Sequence, residues 1–218
     1  MPVRKIPKSF RSVRGQFPSV KNGRSMAFES TIERDFFLSL EFDSTVQSYE
    51  EQPVQISGLV DGKEASYTPD CLVSYNNGRP PMLAEVKSAE ELEKPSPSLQ
   101  RRLTLARQYA DANGMAFQVI KDADIRSSRL ETYRFLYGFS TPPRELASHR
   151  LQIITITTSV GEITLRELLE KLSPDRTIQA AFTPIIWHLL FTGELIADLN
   201  LQIGYSTILR ASNDHHLP

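Results

Sequence analysis

Residues 65–87 read ASYTPDCLVSYNNGRPPMLAEVK, and the fold turns on how this stretch is parsed. Ala65 to Tyr75 is rich in β-formers and is closed by Asn76-Asn77-Gly78, a run with the turn chemistry that ends strands. After the Pro80-Pro81 break, Met82 to Val86 forms a second strand. Its apolar neighbours Leu83, Ala84 and Val86 suit a strand buried on both faces at the centre of a sheet.

Charged residues interrupt this apolar pair. Glu85 and Lys87 are two apart, so on a strand they point to one face. Asp70 lies on the preceding strand, from which its carboxylate approaches Glu85 across the pair. Carboxylates brought together repel and raise each other's pKa unless a cation relieves them. Hydrolysis of a phosphodiester needs oxygen ligands for a divalent cation, an activated water and a positive charge near the developing oxyanion. Asp70 and Glu85 supply oxygens of that kind, and Lys87 supplies the charge or orients the water. The plainer alternative is a turn at Pro69-Asp70 and an exposed Glu-x-Lys ion pair.

Working outward, Phe28 to Leu40 (FESTIERDFFLSL) has helical period, with Phe28, Ile32 and Phe36 on one face. Ser30 and Glu33 have the spacing of a capping box, so Glu33 is either a cap or a carboxylate of the site. Val46 to Gln52 and Val54 to Val60 read as strands, the latter ending in the hairpin signal Asp61-Gly62. Downstream, Glu90 to Ser98 is charged and contains prolines, which predicts a loop. Leu99 to Asn113 is an amphipathic helix capped by Gly114, with Leu99, Leu103, Ala106 and Ala110 inward. Arg101, Arg102 and Arg107 lie away from that stripe and either face DNA or solvate the helix. Met115 to Ile120 is a further strand, and a helix follows from about Ser127 to Gly138. Helix, hairpins, central strand, helix and strand together predict a mixed α/β sheet.

Thr141-Pro142-Pro143 marks a boundary. Beyond it, the run from Ile153 to Thr157 (IITIT) reads as a strand. Thr164 to Leu172 and Thr177 to Thr192 read as helices, and Leu195 to Leu199 with Gln202 to Leu209 as a hairpin through Asn200. Short helices followed by a hairpin predict a small winged-helix domain. Trp187 belongs to its core. His149, His188, His215 and His216 have no zinc-ligand spacing, and Cys71 reads as a small core residue.

The chain has 218 residues, a single cysteine and a formal net charge of −1. One cysteine excludes an internal disulfide framework and a cysteine-rich zinc site. No apolar run is long enough to span a bilayer, and the N-terminus has no secretory h-region, so a cytoplasmic protein is expected. No Gly-rich phosphate loop is present: residues 15–23 lack the Lys-Ser/Thr ending. Arg4, Lys5, Lys8, Arg11, Arg14, Lys21 and Arg24 all precede Glu29, the first acidic residue. This basic stretch, over 1–25, reads as a flexible arm that either follows phosphates or is merely solvated.

The same residues carry a resemblance. Glu29-Ser30-Thr31-Ile32-Glu33-Arg34-Asp35-Phe36, Leu40-Glu41-Phe42-Asp43, Tyr49-Glu50-Glu51-Gln52-Pro53, Tyr67-Thr68-Pro69-Asp70 and Glu85-Val86-Lys87 resemble, in order and spacing over about 25–140, the PD-(D/E)xK nuclease superfamily. Within it they resemble the TnsA endonuclease subunit of heteromeric cut-and-paste transposases. The resemblance implies a restriction-endonuclease-like mixed sheet flanked by helices over 26–145 and a winged-helix domain over 150–210. It implies a catalytic set of Glu33, Asp70, Glu85 and Lys87, with Glu33, Asp70 and Glu85 as ligands of Mg²⁺ or Mn²⁺. Glu29 is the rival to Glu33, and Gln52 reads as sheet-edge structure. The activity implied is cleavage of the non-transferred strand of double-stranded DNA at the 5′ ends of a transposon. A TnsB-like DDE transposase would cut the other strand, and a TnsC-like AAA+ regulator would contact the C-terminal region. A stand-alone restriction or repair nuclease, or a non-catalytic DNA-binding adaptor, are the other readings of the same residues.

Overall fold

A computed structural model describes residues 13–212. The chain divides into two compact units, the first ending at Ile125 and the second beginning at Arg126. This division falls ahead of the Thr141-Pro142-Pro143 boundary expected from sequence, so the helix near Ser127 belongs to the second unit. Residues 1–12 of the basic arm, and His215 and His216, lie outside the described residues.

The first unit opens with β1 (Gly15–Ser19) and β2 (Arg24–Phe28), an antiparallel hairpin. The arm expected over 1–25 is thus ordered from Gly15 on, because alternate residues Phe17, Met26 and Phe28 are buried along one face. Gly15 is required here, since a Cβ would lie 2.5 Å from the Phe28 ring. Helix α1 (Thr31–Glu41) begins at the Ser30 cap and buries Phe36, Phe37, Leu38 and Leu40. Near its end, buried Glu41 accepts hydrogen bonds at 2.6 Å from the Ser19 and Tyr49 hydroxyls, tying hairpin, helix and the next strand together.

That strand is β3 (Val46–Glu51). It is followed by the hairpin of β4 (Ile56–Val60) and β5 (Lys63–Tyr67), joined through Asp61 and Gly62 at φ +51° and +72°. Both turn residues have positive φ, as the twist-matched two-residue turn requires. Then come β6 (Cys71–Tyr75), β7 (Met82–Lys87), α2 (Ala89–Glu93), α3 (Pro97–Ala112), β8 (Ala116–Lys121) and α4 (Asp122–Ile125). The main sheet runs β3-β6-β7-β8, with β7 and β8 parallel and the other pairs antiparallel. Every β7 residue except Lys87 is buried, as expected of a central strand. The mixed α/β sheet is therefore observed.

Two expectations change. The run Ala65 to Tyr75 is two strands in two sheets, β5 and β6, because Pro69 lacks the N–H a continuous ladder needs. The expected loop from Glu90 contains α2, which Ser88 and Glu91 start with a reciprocal capping box.

The second unit contains α5 (Arg129–Tyr137), α6 (Leu146–Val160), β9 (Ile163–Thr164), α7 (Leu165–Leu172), α8 (Arg176–Phe191), β10 (Leu195–Ile196) and β11 (Ile208–Ala211). Its strands are ordered β10-β11-β9, antiparallel throughout. The strand expected from Ile153 to Thr157 is instead within α6. Ile153 and Thr157 are the buried residues of that helix, one turn apart, and the Thr157 hydroxyl donates to the Ile153 carbonyl at 2.8 Å. The hairpin expected to turn at Asn200 pairs Leu195 with Ala211 and Ile196 with Arg210 instead, so residues 197–207 form its connection. Trp187 is buried, edge-on to Phe135 at 5.6 Å. Among the described residues no helix is long and apolar enough to cross a membrane.

Candidate active site

Asp70 immediately precedes β6. Because Cys71 pairs with Ala84, the Asp70 carboxylate falls beside the far end of β7, where Oδ2 accepts the Val86 N–H at 2.7 Å. Its own carbonyl accepts the Gln52 N–H at 3.0 Å. Gln52 holds a left-handed φ of +47° to make that bond at the end of β3, a sheet-edge role. Cys71, next in sequence, is fully buried on the other face.

Lys87 ends β7. Its Nζ lies 2.6 Å from Glu85 Oε1 and 3.9 Å from Asp70 Oδ2. The period-two spacing thus puts Glu85 and Lys87 on one face, and the antiparallel pairing delivers Asp70 to the same place. The Glu85 side chain is 3% exposed, while those of Asp70 and Lys87 keep 19% and 20%. The cluster therefore opens to solvent at the Asp70–Lys87 end.

Burial dominates its electrostatics. Desolvation pushes Asp70 up to about 6, against the pull of Lys87 and the Val86 N–H; Glu33 and, less strongly, Glu29 push it further up. Glu85 is raised for the same reason, against Lys87. Lys87 is pulled down by burial, yet Asp70 and Glu85 outweigh that and leave it above its ordinary value. Burial, more than repulsion, thus makes the charge on the two carboxylates costly.

Glu33 stands at the edge of this field. Its Oε2 accepts the Glu29 N–H at 2.9 Å, its Oε1 the Ser30 hydroxyl at 2.8 Å, and its N–H donates to Ser30 Oγ at 3.1 Å. The capping role read from the sequence is the one its hydrogen bonds perform, while its charge reaches Asp70. Glu29 is half-exposed and 3.7 Å from Arg14.

Two residues near the site escaped the sequence reading. The Tyr67 hydroxyl, at the end of β5, donates to Glu85 Oε2. The sequence placed Tyr67 in one continuous run from Ala65 to Tyr75, which could not say that its hydroxyl ends against a carboxylate of another sheet. Arg102, left open by the sequence between facing DNA and solvating α3, is half-buried, and its charge acts on Glu85. The available signal was its position one turn from Leu105 and Ala106, both of which are buried.

Among the described residues no three His, Cys, Asp or Glu side chains are assembled around one cation position. Glu85 is engaged by Tyr67 and Lys87, and Glu33 by its own helix start. The donor set still suits a hard cation. Its members are carboxylate oxygens, burial makes their charge costly without a cation, and Mg²⁺ binds through one or two carboxylates while keeping several waters.

Residues 43–122 match the family model described as TnsA-like endonuclease N terminal. The match runs from just before β3 into α4 and includes Asp70, Glu85 and Lys87 but not Glu33. A search of curated proteins gives no match.

Proposed function

We propose, on the premise that residues 43–122 form a TnsA-like endonuclease N-terminal domain, that this chain is a metal-dependent DNA endonuclease. It would cut the non-transferred strand at the 5′ ends of a transposon during cut-and-paste transposition. The observation that carries the reading is the Lys87 ammonium lying against both Glu85 and Asp70 inside the matched segment.

In this reading Asp70 and Glu85 hold Mg²⁺ or Mn²⁺, with Glu33 contributing from the start of α1. The cation supplies Lewis-acid charge and lowers the pKa of a bound water. The chain's own groups do the rest. The Val86 N–H holds the Asp70 carboxylate, and the Gln52 N–H holds the Asp70 backbone carbonyl. The Tyr67 hydroxyl fixes one Glu85 oxygen. The Lys87 ammonium, partly exposed and held above its ordinary pKa, stays charged to orient a water or meet the developing oxyanion.

The order α6, β9, α7, α8, β10, β11, with β11 between its two partners, supports a winged-helix reading of the second unit. A TnsB-like DDE transposase and a TnsC-like AAA+ regulator, the latter at the C-terminal region, are the proposed partners, and the cytoplasm the proposed compartment.

The test is strand cleavage of a transposon-end duplex with the partner transposase, comparing wild type with Asp70→Ala in Mg²⁺ and in EDTA. Loss of cleavage by a factor of at least about a hundred in the variant and in EDTA is expected. Equal cutting by Asp70→Ala would defeat the assignment.

A further inference from the structure

We infer that Gln52 is a substrate-contacting residue whose carboxamide hydrogen-bonds a phosphodiester oxygen of duplex DNA laid across Asp70. This rests on the nuclease reading. Both β3 and β7 pair antiparallel with β6, so Gln52, the residue after β3, and Lys87, the last of β7, stand at one end of the sheet. Asp70 lies between them. Its carbonyl accepts the Gln52 N–H at 3.0 Å and its carboxylate the Val86 N–H at 2.7 Å. Strands β3 and β7 are two strand spacings apart, roughly 10 Å. Gln52 therefore meets a phosphate next to the one facing Lys87 rather than the same one.

Outside glycine, only Gln52 and Asp61 hold a positive φ among the described residues, at +47° and +51°. Asp61 does so in a two-residue hairpin turn with Gly62, where Asp is common. Gln52 is in no such turn, and it precedes Pro53, which biases it toward extended backbone. Its bond to Asp70 uses only the backbone. Glycine would supply the same N–H without a Cβ penalty. A side chain kept at that cost beside a site is a mark of function. This side chain is exposed, and its carboxamide makes no hydrogen bond among the described residues. Side-chain amides are regular donors to phosphate oxygens in protein–DNA interfaces. Being neutral, this one adds no charge to a rim where Lys87 already faces two carboxylates.

The experiment measures binding of the full chain to fluorescent transposon-end duplexes by anisotropy, in Ca²⁺ across a salt series, for wild type, Gln52→Gly and Gln52→Glu. One duplex is unmodified, and each of the others carries a single uncharged methylphosphonate at a successive position across the cleavage site. Thermal melting of each protein is recorded alongside. Gln52→Gly is expected to bind the unmodified duplex about three- to tenfold more weakly. Its salt slope should match wild type, because an amide displaces no counterion. At one methylphosphonate position wild type should lose about threefold more than Gln52→Gly loses, the mark of a contact that both changes remove. Gln52→Glu, with a charge facing phosphate, should bind at least about tenfold more weakly than wild type. Gln52→Gly should melt within about 2 °C of wild type or higher, since glycine carries no penalty at this φ. Equal losses in wild type and Gln52→Gly at every position would overturn the Gln52 contact and leave the nuclease reading standing. A fall of several degrees in the melting temperature of Gln52→Gly would make the side chain structural and overturn the contact too. Wild type that binds no duplex, or cuts none with the partner transposase in Mg²⁺, would remove the nuclease reading and this inference together.

Discussion

Asp70 is ionised at neutral pH against the pull of its surroundings, since burial raises it to about 6 from an ordinary 3.8. The folded state therefore binds a proton more readily than the unfolded chain between those values. Stability contributed by this residue falls as pH rises from about 4 to about 6, and stays lower above. Glu85 shifts the same way, whereas the raised Lys87 acts only at alkaline pH. Asp70→Asn keeps an acceptor for the Val86 N–H and discards the charge. It is expected to gain on the order of 1–3 kcal/mol at pH 8 without metal, and nothing at pH 4. Urea unfolding at the two pH values measures this. A loss at pH 8 would show that the Lys87 attraction outweighs desolvation. The pairing of Asp70 with Glu85 and Lys87 was legible at this scale because strand period and antiparallel pairing are local rules. The Tyr67 contact was not, because it joins β5 to β7 across the fold.

Helix α1 brings the second question, whether Glu33 only caps or also acts on the site. Ser30→Ala removes the hydroxyl that accepts the Glu33 N–H and donates to its carboxylate. The expected cost is about 1 kcal/mol in stability, with cleavage within about twofold of wild type. Glu33→Ala should cost a similar amount and also abolish cleavage. Parallel denaturation and cleavage measurements separate the roles, and a Glu33→Ala enzyme cutting at wild-type rate would leave Glu33 as a cap alone. Elements whose termini are marked by short-range chemistry, such as α1, α7 and the Asp61-Gly62 hairpin, were readable from sequence. Helix α6 was not. Its alternating Ile-Thr run has strand propensity, yet burial of Ile153 and Thr157 at helical spacing prevails.

At the scale of the whole molecule, a cation held by Asp70 and Glu85 as proposed would bind the folded chain in preference to the unfolded one, and so stabilise it by mass action. Millimolar Mg²⁺ at pH 8 is expected to raise the melting midpoint, followed by circular dichroism, by about 2–6 °C. Asp70→Asn should show no such rise. Equal rises in both proteins would put the bound ion elsewhere. The first unit gathers the proposed site from β5, the residue ahead of β6, β7 and α1, segments far apart in the chain. By itself the sequence determined that a buried mixed sheet forms, that Glu85 and Lys87 share a face, and that Asp70 comes close to them from the neighbouring segment, just ahead of β6 rather than on it, because period and turn chemistry act over a few residues. Only the tertiary structure decided that β5 leaves the main sheet at Pro69, that α6 is helical, and that Tyr67 closes on Glu85. Those outcomes depend on which distant surfaces each segment buries, and no local pattern encodes that.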